Sequence, residues 1–177
     1  MKDSIGAGHK YRWNENVVTA IQPGCMSAGL RMEARQLEPG RLNHLTPLEA
    51  WRLLQTDASA LLIDIRSDME YLFVGHPVGA VHVPWISEPS WSINQHFVTE
   101  VRKLLPGINC RLEKDCPPVI LICRSGRRSI DAGLSLLEEG INYVCNVAEG
   151  FEGELNSSHQ RSSLGGWRFC GLPWEQC

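Results

Sequence analysis

The chain has 177 residues, of which 43% are hydrophobic and 21% are charged, as in a soluble globular protein of one domain with or without an extension. Its net charge of −3 disfavours a nucleic-acid-binding module, because such modules are usually basic. The most apolar stretch, residues 119–123, is far too short to cross a bilayer, and the first thirty residues lack the pattern of a signal peptide. We therefore expect neither nucleic acid nor a membrane among the partners.

Seven cysteines are present, and none of them forms a Cys-x-x-Cys pair. The spacings between Cys110 and Cys116, and between Cys170 and Cys177, do not match a zinc site, so we expect no metal and no cofactor. Without a visible export signal, we expect a cytoplasmic protein with reduced thiols. Each cysteine is then either packed as a small hydrophobic side chain or reactive. Cys170 and Cys177 are interpreted as bystanders, with a resolving thiol as the alternative.

The first clear element in the chain is a helix predicted over residues 47–55. Thr46 and Glu49 have the spacing of a capping box, and Pro47 suits the first helical position. The apolar run 60–65 that follows predicts a buried parallel strand.

Further strands and helices are predicted to alternate along the rest of the chain. They are a helical turn over 68–73, a strand over 79–84, a helix over 94–105, a strand over 119–122, a helix over 129–139 and a strand over 142–147. This alternation predicts an α/β fold, with a parallel sheet and helices on both faces. Ligands of such sheets bind beyond the carboxyl ends of the strands, where the loop after residue 122 lies.

The loop that begins at Cys123 carries the strongest chemical signal in the sequence. It reads Cys-Arg-Ser-Gly-Arg-Arg and connects a buried strand directly to a helix. Three features would together stabilise a thiolate: the N–H groups at the start of the helix, the positive charges of three arginines, and Gly126, which lets the backbone turn its N–H groups toward an anion. Because cations at a helix start oppose its dipole, the arginines indicate an anion among them. The alternative is a packed cysteine beside solvated arginines.

Several segments, in this order, resemble the single-domain rhodanese family of sulfurtransferases over about residues 43–175. They are Leu-Leu-Ile-Asp-Ile-Arg at 61–66 with Glu70, Gly-His-Pro-Val-Gly-Ala-Val-His-Val-Pro at 75–84, the loop at 123–128, Asn-Val-Ala-Glu-Gly-Phe at 146–151, and the closing segment 166–174. The resemblance implies a rhodanese-like fold with a parallel five-stranded sheet over residues 43–177. Residues 1–42 are then an N-terminal extension of unknown role.

The resemblance also implies a sulfurtransferase in which Cys123 is the nucleophile and carries a persulfide. Sulfane sulfur would come from thiosulfate or a related persulfide donor and pass to cyanide, a thiol or a protein thiol. The donor is a small anion, so the rest of the loop is expected to bind it. These substrate-binding residues are Arg124, Ser125, Gly126, Arg127 and Arg128.

Loop length separates this function from a related one. Phosphatases of the Cdc25 type and some arsenate reductases share the fold and place an arginine six positions after the cysteine, where this chain has Ser129. The loop is therefore too short for phosphatase or arsenate chemistry. A second alternative is a sulfur-relay module that carries a persulfide but turns over free substrates slowly.

The remaining polar residues are interpreted as structural. Asp64, Arg66 and Glu70 are expected to form a charge network that braces the loop. His76 and His82 could act as general bases, but sulfur transfer by a thiolate needs none.

Overall fold

A computed structural model of the protein describes Cys25, residues 36–105 and residues 116–176. Most of the expected extension, together with Cys110 and Cys177, lies outside the described residues. Within the described part, seven strands are numbered in chain order. They are β1 Arg41–Leu45, β2 Leu61–Asp64, β3 His76–Pro77, β4 Val81–His82, β5 Val119–Ile122, β6 Tyr143–Val147 and β7 Trp174–Glu175.

Five of these strands form one parallel sheet in the order β1-β6-β5-β2-β4. The predicted parallel five-stranded sheet is therefore confirmed. Strand β5 lies at its centre, between β2 and β6. Its four residues, Val119 to Ile122, are therefore entirely buried. The cysteine that follows β5 consequently emerges in the middle of the carboxyl edge of the sheet.

Three α-helices within the described ranges 36–105 and 116–176 cover the sheet: α1 Pro47–Thr56, α2 Phe97–Leu104 and α3 Arg128–Glu138. The capping box predicted for α1 is present, because the Thr46 side chain accepts a hydrogen bond from the Glu49 N–H and the Glu49 carboxylate accepts one from the Thr46 N–H. Helix α2 begins three residues later than predicted. A π-helical turn, Glu70–Val74, replaces the ordinary helical turn expected over 68–73.

Alternate residues of the central strands face two separate hydrophobic layers, which is the pattern of a strand covered on both sides. Val119, Leu121 and Cys123 pack with residues of α2 and α3. Ile120 and Ile122 pack instead with α1 and with the C-terminal segment. The helices therefore lie on both faces of the sheet, as predicted.

Strand β1 crosses the expected domain boundary at residues 42 and 43, since it runs from Arg41 to Leu45 along the edge of the sheet. The strand predicted over 79–84 is shorter and comprises only β4. The C-terminal segment returns to form a two-stranded antiparallel ladder between β3 and β7, which places His76 in a strand.

Cys25 and Cys170 form a disulfide, with their Cα atoms 5.5 Å apart. The expectation that all cysteines are reduced is therefore wrong for this pair, and Cys170 is not a free resolving thiol. Their separation of 145 positions explains why spacing along the sequence gave no sign of the bond. Three further cysteines of the described residues, Cys116, Cys123 and Cys145, are buried. None of the helices described here is long and apolar enough to cross a membrane.

Candidate active site

Cys123 lies directly after β5 and is only 1% exposed. Its sulfur receives a hydrogen bond from the backbone N–H of Gly126 at 3.2 Å. The hydroxyl oxygen of Ser129, in the first turn of α3, lies 3.3 Å from the same sulfur. The sulfur is thus surrounded by donors that suit an anion better than a neutral thiol.

Two glycines allow the loop to pack closely against the chain that follows β6. Gly126 has a φ of +83°, and a Cβ atom there would overlap the carbonyl group of Ala148. Gly150 has a φ of +63°, and its Cβ would lie 2.5 Å from the carbonyl oxygen of Cys123. Backbone hydrogen bonds from Phe151 and Glu152 to the carbonyls of Cys123 and Arg124 join the two segments. The position of the sulfur is therefore fixed by backbone contacts.

The three loop arginines occupy different environments. The side chain of Arg127 is 79% exposed and is 3.2 Å from the carboxylate of Glu154. Arg124 is about half exposed, with its Nε 3.9 Å from Glu70. Arg128 instead forms a bidentate pair with Glu70, with distances of 2.8 and 2.7 Å. Arg124 and Arg127 are thus accessible to a solute, whereas Arg128 ties α3 to the π-helical turn.

Glu70 is held as a carboxylate by this pair. Burial alone would raise its pKa, but hydrogen bonding and attraction from Arg128 lower the pKa below its usual value. Burial would likewise lower the pKa of Arg128, yet the hydrogen bonds and charge of Glu70 raise it, with a smaller contribution from Cys123. Glu70 was expected to join Asp64 and Arg66 in one charge network, but it is paired with Arg128 of α3 instead.

A second, fully buried pair lies beneath the loop. Arg66 donates hydrogen bonds to both carboxylate oxygens of Asp64 and to the carbonyl of Gly75, and its guanidinium lies 4.1 Å from the centre of the Phe151 ring. Its remaining nitrogen, Nη1, has no hydrogen-bond partner among the described residues and lies 4.0 Å from Oε1 of Glu152, for which the same holds. This pair fixes the carboxyl end of β2 beside the loop.

Glu152 is the titratable group of the site whose ionised form is disfavoured. Burial raises its pKa most; attraction to Arg66 lowers it, and repulsion from Glu70 raises it further, so that the net shift is upward. A raised carboxyl pKa means that the fold favours the protonated form. This contribution to stability is complete below the unfolded-state pKa, near 4.5, and is lost as pH rises through the folded-state pKa.

We therefore predict that Glu152→Gln increases the free energy of unfolding at pH 7, and that its advantage over the wild type shrinks as the pH approaches 4 to 5. Urea unfolding of both proteins across this range measures the difference. Glu154→Gln, at a half-exposed position two residues away, is the control for the removal of a carboxylate from this segment. A constant advantage for Glu152→Gln would contradict the raised pKa.

The two histidines singled out in the sequence, His76 and His82, both contact Tyr71. Both imidazoles stack on the Tyr71 ring, with centroid distances of 3.8 and 4.1 Å. His76 contacts the Tyr71 carbonyl and His82 the Arg66 carbonyl. Their contacts are those of structural residues. Among the described residues, no cluster of His, Cys, Asp or Glu is arranged to hold a metal ion.

Sequence reasoning missed the roles of three residues. Ser129 served only as a marker of loop length, yet its hydroxyl contacts the sulfur. Asn146 accepts a hydrogen bond from Ser129, and Glu152 lies beside Arg66. The only local signal in the sequence is the polar side chain of Asn146 near the end of an apolar strand. That signal does not reveal which residue the side chain contacts.

The geometry can be compared with known proteins. The profile of the rhodanese-like domain family matches residues 46–156, which is more than half of the chain. The chain belongs to the rhodanese-like domain family. The match includes the whole loop 123–128, Glu70 and Glu152, and it begins at Thr46, immediately before helix α1.

Solved and curated relatives agree with this rhodanese-like assignment. The chain is 38% identical to Rv0390 from M. tuberculosis, covering 76% of this chain and 98% of that one, with a TM-score of 0.66. It is 30% identical over 131 residues to the thiosulfate sulfurtransferase GlpE of Actinobacillus pleuropneumoniae, which covers 74% of this chain and 91% of that protein. The GlpE of Haemophilus influenzae is 29% identical over 109 residues, or 62% of this chain and 84% of its own. This rhodanese-like protein thus has distant sulfurtransferase relatives.

Proposed function

We propose that this protein is a sulfurtransferase that moves sulfane sulfur from thiosulfate, or a related persulfide donor, to a thiophilic acceptor through a Cys123 persulfide. The observation that carries the proposal is the environment of the Cys123 sulfur, which is buried and contacted by a backbone N–H and a hydroxyl. The same loop carries two accessible arginines, Arg124 and Arg127. The two curated relatives named as thiosulfate sulfurtransferases support the same reaction class.

The reaction is a double displacement. The Cys123 thiolate attacks the outer sulfur of thiosulfate, a bond between the two sulfurs forms, and sulfite leaves with the electron pair of the broken sulfur–sulfur bond. An acceptor such as cyanide then attacks the outer sulfur of the persulfide. The thiolate of Cys123 leaves with the second electron pair, which restores the starting state, so the cycle needs no other redox reagent.

The loop supplies binding and charge stabilisation in both steps. The Gly126 N–H contacts the sulfur and would hold its anion, and we expect the N–H of Ser125 to assist once the persulfide forms. Arg124 and Arg127 attract the anionic donor and stabilise the departing sulfite. Arg128, because it is paired with Glu70, contributes by bracing the loop and by its positive field at the sulfur.

Intact mass measurement tests the proposal directly. After incubation with thiosulfate and removal of excess donor, the protein should gain the mass of one sulfur atom, and peptide mapping should locate it on Cys123. A reducing wash should remove it. Failure to load Cys123 from either thiosulfate or an organic persulfide would overturn the proposal.

The exposed arginines are predicted to act through the charge of the donor. Arg127→Ala should raise the KM for dianionic thiosulfate more than the KM for a monoanionic arenethiosulfonate, with little change in thermal stability, because its ion pair with Glu154 is exposed. Added salt should have the same effect on the wild type, since exposed charges are screened beyond about 8–10 Å. Steady-state kinetics with both donors at two salt concentrations measure these changes.

Arg128→Ala provides the contrasting variant. It should lower the thermal stability, because it leaves the carboxylate of Glu70 without its bidentate partner. Equal losses on both donors for Arg127→Ala, or an equal loss of stability in the two variants, would mean that Arg127 also braces the loop.

A further inference from the structure

The hydroxyl of Ser129 has two acceptors and one proton. Its oxygen lies 2.5 Å from the side-chain carbonyl oxygen of Asn146 and 3.3 Å from the sulfur of Cys123. Ser129 is completely buried and Asn146 is 1% exposed, so water does not compete for these groups. Since a hydroxyl carries a single hydrogen, it can donate to only one of the two acceptors at a time.

The orientation of the Asn146 amide explains why the carbonyl oxygen faces Ser129. The amide nitrogen of Asn146 contacts Nδ1 of His44 at 3.1 Å, across the neighbouring strands β1 and β6. With its nitrogen occupied by His44, the amide presents an acceptor to Ser129. The shorter distance to Asn146 places the Ser129 proton on that side while Cys123 is a neutral thiol.

In the thiol state, all three groups are satisfied. The Ser129 hydroxyl donates to Asn146, and the S–H group of Cys123 can donate to the free lone pair of the Ser129 oxygen. Loss of the thiol proton to solvent removes that donor and turns the sulfur into an acceptor with a full negative charge. A hydrogen bond to an ionised acceptor is stronger than one to a neutral amide, so the charge draws the hydroxyl proton toward the sulfur.

We propose that Ser129 is a catalytic hydrogen-bond donor to the Cys123 thiolate and persulfide, and that Asn146 is a positioning residue that competes for the same proton. The proposal deepens the proposed sulfurtransferase function and assigns a role to the first turn of α3. Ser129 stabilises the anionic sulfur, whereas Asn146 stabilises the arrangement in which the sulfur is a thiol.

The fixed charges around the sulfur remain in place in both states. Arg128 of α3 is electrostatically coupled to Cys123, and it is paired with Glu70 of the π-helical turn and influenced by Asp64 at the end of β2. Arg124 and Arg127 belong to the loop itself. Substitutions at Ser129 and Asn146 leave all five of these charges unchanged, so their effects report on the hydrogen bond rather than on the field.

The test is the rate at which iodoacetamide alkylates Cys123 as a function of pH, followed by mass spectrometry of the Cys123 peptide. Ser129→Ala should move the midpoint of this profile upward and slow alkylation about tenfold at pH values below the midpoint, because the thiolate loses a donor. Asn146→Leu should move the midpoint in the opposite direction, because the hydroxyl is then left with the sulfur as its acceptor.

The matched control is Ser135→Ala, which removes another hydroxyl from the same helix. The Ser135 hydroxyl donates to the Ala132 carbonyl within the same helix, so the alkylation profile should stay unchanged. Ser129→Thr retains the hydroxyl and should restore most of the rate lost in Ser129→Ala. It also provides a readable variant if Ser129→Ala folds poorly.

Opposite shifts at Ser129 and Asn146 would support the proposal. An unchanged profile in Ser129→Ala, or shifts of equal sign in Ser129→Ala and Asn146→Leu, would overturn it, since a role in packing alone affects both variants alike. Alkylation requires no sulfur donor. If the protein failed to load sulfur from thiosulfate, the proposed function would be lost while this measurement would still decide the role of Ser129.

Discussion

Replacing Cys123 with serine is expected to abolish sulfur transfer from thiosulfate to cyanide. An oxygen atom in place of the sulfur cannot form the persulfide, so the first displacement has no product. The fold should persist, because a serine hydroxyl can accept the same hydrogen bond from the N–H of Gly126. Thiocyanate formation and the thermal melting curve measure the two properties separately.

Cys145→Ala is the matched control for this variant. Cys145 is as buried as Cys123, but it packs in the layer on the opposite face of the sheet. Its substitution should leave sulfur transfer in place, with a modest loss of stability from the smaller side chain. Substantial activity in Cys123→Ser would mean that another cysteine carries the sulfur.

Replacing Arg66 with leucine is expected to lower the free energy of unfolding by about 3–5 kcal/mol, because it leaves the carboxylate of Asp64 buried without its cation. Both side chains of this pair are fully buried, so water cannot take the place of the guanidinium. Urea unfolding at neutral pH measures the loss.

Two further variants define the origin of that loss. Arg41→Ala breaks the exposed pair with Glu38 and should cost less than about 1 kcal/mol. The double variant Asp64→Leu with Arg66→Leu removes both charges and should be much more stable than Arg66→Leu alone. A double variant as unstable as the single one would show that the loss comes from packing against Phe151 rather than from the unpaired charge.

Local patterns in the sequence were enough to predict the centre of the fold. Val119–Ile122 is continuously apolar because it is buried on both faces, and α3 carries apolar residues at helical spacing until Gly140, which has a φ of +84°. By contrast, the edge strand β1, with the sequence Arg-Leu-Asn-His-Leu, is half polar and lacks that signal. Its existence depends on pairing with β6, which is about one hundred residues away.

The same limit applies to the candidate site. Cys123 and its loop form one continuous segment with a recognisable chemistry, so the sequence alone was enough to propose Cys123 as the nucleophile. The hydroxyl of Ser129 and the amide of Asn146 come together only because β6 lies beside β5. Glu152 reaches Arg66 for a similar reason, since the chain after β6 turns across the end of β2. Contacts of this kind follow from the order of strands in the sheet and not from local periodicity.

The bond between Cys25 and Cys170 closes a covalent ring that contains the entire parallel sheet. A single cut of the backbone anywhere between these two cysteines therefore leaves the fragments joined until a reductant is added. The ring also restricts the denatured chain, and a loop of this length corresponds to about 5 kcal/mol in the chain-entropy model. Unfolding free energies measured with and without reductant thus refer to two different denatured ensembles, and the variants described above are comparable only within one of them.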